Sequence, residues 1–86
     1  MDPHKTIKYP LATEKAVRMM EAENKLVLIV DRKATKKDIK HAVETLFQVQ
    51  VMKVTTLHTP DNRKKAYLLL SPETPAIDVA TKLGLM

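Results

Sequence analysis

The chain has no cysteine and no tryptophan, one glycine, one serine and three aromatic residues. Without cysteine there are no disulfides, no thiolate zinc sites and no cysteine nucleophile, which fits a reducing compartment. A single glycine, Gly84, rules out a glycine-rich loop cradling phosphates. The lone serine, Ser71, is followed by Pro72 and lacks a nucleophile-elbow context. His4, His41 and His58 lie far apart, with neither HxH nor HExxH spacing, so no metal site is expected. Acidic pairs such as Glu21 and Glu23 fall near a helix end and are read as solvated. The chain is therefore not expected to be an enzyme, and no catalytic residue, metal or cofactor is assigned.

Two further absences narrow the class. Tyr9, Phe47 and Tyr67 are too few and too scattered for an RNA-binding sheet that stacks bases on aromatics. No apolar run is longer than Leu26–Val30, far short of a bilayer span, and "MDPHKTIKYP" has no apolar signal core. A cytoplasmic protein without membrane contact is expected.

What the chain does have is a core and a local excess of positive charge. Its 86 residues, 44% of them hydrophobic, predict one domain over residues 1–86. A domain of this size buries roughly 60–65% of its unfolded surface, so modest stability is expected. The net charge is +5. Between Arg32 and Lys65 nine basic residues face three acidic ones, a local charge of +6, while the remainder carries −1. Localised charge of one sign is the footprint of a polyanionic partner; the other reading of the charge pattern alone is a solvated lysine-rich surface.

Periodicity supplies the elements. Thr13 caps a helix through "EKAVRMMEAEN", with Ala16, Val17 and Met20 on one face and Asn24 as a left-handed stop. "KLVLIVD" reads as a strand buried on both faces. In "RKATKKDIKHAVETLFQ", Thr35 and Asp38 form a capping box, and Ile39, Ala42, Val43, Leu46 and Phe47 make a core stripe. Lys33, Lys36, Lys37 and Lys40 crowd the start of that helix, the end already positive from its dipole. Such an arrangement costs stability in the free protein and points to a bound anion. "VQVMKVTTL" and "KKAYLLL" form a hairpin around "HTPDNR", with a bulge where alternation slips between Val51 and Val54. In the second of these strands Ala66, Leu68 and Leu70 face one way, and Lys65, Tyr67 and Leu69 the other. "TIKY" adds an edge strand, and Thr74-Pro75 opens a short final helix closed near Gly84. The fold class is α+β: an antiparallel four-stranded sheet with helices packed on it, in β-(α)-β-α-β-β order with a short C-terminal helix.

DNA base reading would call for Arg, Asn or Gln on an exposed recognition helix, whereas the middle helix offers lysines, which act as point charges on phosphate. No DNA partner is expected. Two readings remain. Lys33, Lys36, Lys37, Lys40, Lys53, Arg63, Lys64 and Lys65 contact the phosphates of a folded RNA, or the basic face meets an acidic protein.

"TEKA" at 13–16, "ATKKDIKHAVETLFQVQVMKVTTL" at 34–57 and "KKAYLLL" at 64–70, in this order, closely resemble the large-subunit ribosomal protein family L-twenty-three. The resemblance implies binding of large-subunit ribosomal RNA near the exit of the peptide tunnel. It also implies contact with the neighbouring ribosomal protein L-twenty-nine, and a docking site for signal recognition particle or other nascent-chain factors. The short "HTPDNR" connection is similar to the archaeal form of the family. By position, Lys36, Lys37 and Lys40 match its basic helix start, and Arg63, Lys64, Lys65 and Tyr67 its basic strand. Tyr67 either packs at the sheet edge or touches RNA. Thr55 and Thr56, whose hydroxyls are expected to contact RNA, stand where the family usually has Asn-Thr, and Leu69, where the family favours a polar residue, is expected to pack. Glu14 matches the glutamate at which a chaperone docks in bacterial members. It either serves docking, with Arg18, or stabilises its helix through the dipole and the Arg18 pair at i+4.

Overall fold

The computed structural model describes residues 2–11 and 13–82. It opens with a single helical turn, α1 (Pro3–Thr6), which apolar periodicity does not announce because four residues hold no repeat. Asp2 starts it by accepting a hydrogen bond from the His4 amide, with Pro3 in the first turn where no amide is needed. Thr6 is buried, and its carbonyl accepts from the Asp31 amide at 2.8 Å, tying this turn to the residue that follows Val30. The expected edge strand follows as β1 (Ile7–Pro10).

Helix α2 (Glu14–Glu23) carries the expected caps. The Ala16 amide donates to the Thr13 hydroxyl at 3.2 Å, and Asn24 ends the helix at φ 56°, ψ 35°. Strand β2 (Lys25–Val30) is buried at every residue from Leu26 onward, as a strand covered on both faces must be. Helix α3 (Lys36–Phe47) has both halves of its capping box: the Asp38 amide donates to the Thr35 hydroxyl and the Thr35 amide to the Asp38 carboxylate. The bond from the Thr35 amide holds the Asp38 carboxyl below its ordinary range. Ile39, Ala42 and Val43 are buried as the stripe predicts, but the stripe weakens at its last turn. Phe47 is only partly buried against the core, and Leu46 is half-buried outside the core cluster. Leu46 is therefore a weaker core residue than the stripe predicts.

Strands β3 (Val51–His58) and β4 (Lys64–Leu70) pair antiparallel, with the register shift between Val51 and Lys53 that the slip in alternation predicts. Their connection is short and closed by the Thr59 amide bonding the Arg63 carbonyl at 2.9 Å, with Asn62 left-handed at φ 66°. Helix α4 (Ala76–Lys82) follows the Thr74-Pro75 turn; its predicted end near Gly84 lies outside the described residues.

The sheet order is β1-β2-β4-β3, every neighbour antiparallel. Strands β2 and β3 are thus parallel to each other with β4 inserted between them, a split βαβ arrangement with α3 as the crossover. One face carries Leu26, Leu28, Val30, Ala66, Leu68 and Leu70 into a cluster with Met20 of α2, Ile39 and Val43 of α3, and Val79 of α4. Asn24 joins these parts. Its side-chain amide donates to the carbonyls of Leu70, Ser71 and Thr74, and its oxygen accepts from the Ala76 amide at 2.7 Å.

Asn24→Gly keeps the left-handed backbone and removes all four side-chain bonds. We expect it to lower unfolding stability by about 2–4 kcal/mol in urea denaturation. A loss below about 1 kcal/mol would show that water replaces the amide and that the junction is held by its backbone alone.

Candidate nucleic-acid interface

The face of the sheet turned away from α3 is built in three cross-strand rows. Lys25, Leu69 and Lys53 lie in register across β2, β4 and β3; Val27, Tyr67 and Thr55 form the next row, and Ile29, Lys65 and Leu57 the third. Neighbouring strands are about 4.8 Å apart, so each row brings its side chains side by side. Val27 and Ile29 are buried within this face, while Thr55, Lys53 and Leu57 on edge strand β3 are exposed. Lys65 and Tyr67 are half-buried and border a small cavity of about 60 Å³ with Leu11, Ala16, Met19 and Val27, where the start of α2 meets the sheet. The aliphatic stem of Lys65 covers apolar sheet surface and leaves its ammonium for solvent or a ligand.

Around the β3 edge the charge continues. Lys36, Lys37 and Lys40, all exposed, share a shallow groove of about 230 Å³ with Met52, Lys53 and Val54. Lys53 belongs to both surfaces and makes the open face and the start of α3 one basic surface. A third basic group closes the other end of the sheet. Lys8, Asp31, Arg32, Lys33 and His58 line a cavity of about 400 Å³, and a second of about 240 Å³ shares Lys8 and Arg32 and reaches Asn62 and Arg63. Arg63 is already paired with Asp61 at 3.2 Å, and the Thr59 hydroxyl holds the Asp61 carboxyl low. Much of the charge of Arg63 is therefore balanced within the loop.

Two expected contact residues stand elsewhere. Lys64 falls in register with Val30 and His58, on the helix side of the sheet, and its ammonium donates to the carbonyl of buried Ala34 ahead of α3. Strand alternation forces this: of two consecutive lysines only one can serve the open face. Thr56, in register with Ala66, is likewise turned toward the helices and half-buried, while Thr55 is on the open face. Leu69 is half-buried between two lysines, as the departure from the family pattern suggests. Residues the motif reading passed over are Lys25, Lys8 and Arg32. Lys25 is isolated in sequence and joins the face only because register sets it across β4 from Lys53.

Glu14 and Arg18 form an ion pair at 2.9 Å on the outer surface of α2, with side chains 82% and 77% exposed. A pair this solvated contributes little to stability. The open face offers lysine ammonium groups and a threonine hydroxyl for phosphate and sugar, with no acidic residue among its three rows. Among the described residues no group of three or more histidines and carboxylates is arranged to hold a metal ion.

A sequence model of one family, described as ribosomal protein L23, matches residues 5–76, most of the chain.

The two adjacent lysines have separable roles. Lys64→Ala leaves the buried Ala34 carbonyl without its ammonium partner and should cost about 1–3 kcal/mol of unfolding stability. Lys65→Ala should stay within roughly 0.5 kcal/mol of wild type. Chemical denaturation of both variants checks this, and equal losses would contradict the assignment of the two lysines to opposite faces.

Proposed function

The chain belongs to the ribosomal protein L23 family, whose members are structural proteins of the large ribosomal subunit, and we propose that residues 1–86 act there as one domain binding large-subunit ribosomal RNA. The observation that carries this reading is the continuous basic surface from Lys65 and Lys53 on the open face, around the β3 edge, to Lys36, Lys37 and Lys40. Thr55 adds a hydroxyl to that surface, and Lys33 and Arg63 extend it along the end of the sheet. Lysines dominate, so the contacts are to phosphates; RNA shape supplies the specificity. Tyr67 adds its ring to the middle row.

As part of the same reading we propose for this chain the position that its resemblance to the family implies: on cytoplasmic ribosomes, near the mouth of the peptide tunnel and beside ribosomal protein L-twenty-nine. With the basic surface turned inward to RNA, α2 with its exposed Glu14–Arg18 pair is available to signal recognition particle or another factor meeting the emerging chain.

Affinity for a ribosomal RNA fragment should fall steeply with salt, each neutralised phosphate contributing about 0.7–0.9 to the slope of log affinity against log salt. Lys53→Ala and Lys65→Ala should each reduce that slope by about one such step. Slopes unchanged in both variants would remove RNA from this surface. Full displacement of the RNA by an equally charged acidic polypeptide would favour an acidic protein partner.

Glu14→Gln keeps the shape of the docking residue and removes its charge. Ribosomes carrying it should bind the targeting factor several-fold more weakly, while the free protein melts within a few degrees of wild type. Unchanged factor binding with a lowered Tm would assign Glu14 to the helix alone.

A further inference from the structure

At the end of the sheet remote from Arg32 and Arg63, a groove of about 470 Å³ opens between the end of α2 and the beginning of β3. Its floor is apolar: Met52, 59% exposed, Leu69 and Pro72. Its rim is acidic: Glu21 and Glu23, beside Asn24. Three features set it apart from an incidental surface depression. Met52 is skipped in the β3–β4 register, which passes directly from Val51 to Lys53, so the bulge leaves a large apolar side chain largely in solvent. Glu21 and Glu23 sit in the last turn of α2, which holds no basic residue, where the helix dipole disfavours negative charge. Glu23 is partly balanced by Lys25 at 3.4 Å, but Glu21 has no ion-pair partner among the described residues.

We propose that this groove is a docking site for a cationic amphipathic segment of another protein, apolar side chains seated on Met52 and Leu69 and Lys or Arg residues paired with Glu21 and Glu23. The charges select the occupant. In a chain of net charge +5, these carboxylates repel RNA phosphates and attract a basic peptide. A bound cation also removes the dipole penalty at the end of α2, so the partner gains from an arrangement that costs the free protein stability. The site lies at the opposite end of α2 from Glu14 and is independent of the docking reading given for that residue.

The test uses the full chain and a labelled synthetic helix with Leu on one face and Lys on the other, followed by fluorescence anisotropy. A matched helix with Glu in place of Lys is the control. The Lys helix should bind and the Glu helix should not. Glu21→Lys should weaken binding by about tenfold, and Met52→Ser should weaken it several-fold. Both substitutions are at exposed positions, so circular dichroism should be unchanged. Equal binding of the two helices, or indifference to both variants, overturns the proposal. Self-association of the wild-type chain in sedimentation, abolished by Met52→Ser, would make the occupant a second copy and overturns it as well.

Discussion

The fold depends on one amide. Asn24 must leave the helical path to end α2, which its left-handed backbone does, and its side chain then faces the last carbonyls of β4 and the first turn of α4. Its two N–H groups serve three carbonyls, so at least one hydrogen is shared, and its oxygen takes the Ala76 amide. Two stretches distant in sequence thereby become one junction: the end of α2 with the start of β2, and the end of β4 with the start of α4. Aspartate would present a carboxylate to those carbonyls, and glycine would satisfy the backbone and nothing else. A left-handed asparagine is an ordinary helix stop in sequence. Its long-range bonds, spanning 46 to 52 residues, can be seen only when the sheet is assembled.

The junction fixes the register of β2 against β4, and that register sorts the basic residues by face. Lys64 and Lys65 are neighbours in the chain and lie on opposite faces of the sheet. One bonds the Ala34 carbonyl beneath the helices; the other faces outward in the row of Ile29 and Leu57. A one-residue slip would exchange them, burying a free ammonium and exposing Ala66, Leu68 and Leu70. Core packing and surface charge are thus two readings of a single alternation, so a change to either alters both.

Much of this was legible before the structure. Caps at Thr13, Asn24, Thr35 and Asp38, the buried β2 run, the bulge after Val51 and the α+β order with its four-stranded antiparallel sheet follow from local rules, and each is present. Local rules fail where position depends on distant partners. Lys64 and Thr56 look like surface residues in sequence because charge and hydroxyls predict exposure, but register turns both toward the helices. Leu46 fits the helical stripe but is only half-buried and stands outside the core cluster. Lys25 shows the reverse error: no run of basic residues surrounds it, and only pairing across β4 brings it beside Lys53. The turn α1 is not legible because its stabilising contacts, Asp2 at its start and Asp31 just past the end of neighbouring β2, are not periodic.

The two main surface helices carry the charges their dipoles oppose. Lysines gather at the start of α3, and glutamates at the end of α2. Each arrangement costs the free protein a few tenths of a kcal/mol per charge. In a domain this small, with total stability near the low end of about 5–15 kcal/mol, such costs are a real fraction of what holds the fold. A partner that supplies the missing countercharge binds the folded state and not the unfolded one, so binding returns that stability by mass action. The two helices call for partners of opposite sign, an anion at the start of α3 and a cation at the end of α2. The basic surface and the acidic groove meet on β3 at Met52, which lines both, with Lys53 next to it on the basic side. The bulge at Val51 sets Met52 outside the β3–β4 register, so this one apolar side chain stands in solvent on the border of both surfaces, which an unbroken ladder would not allow.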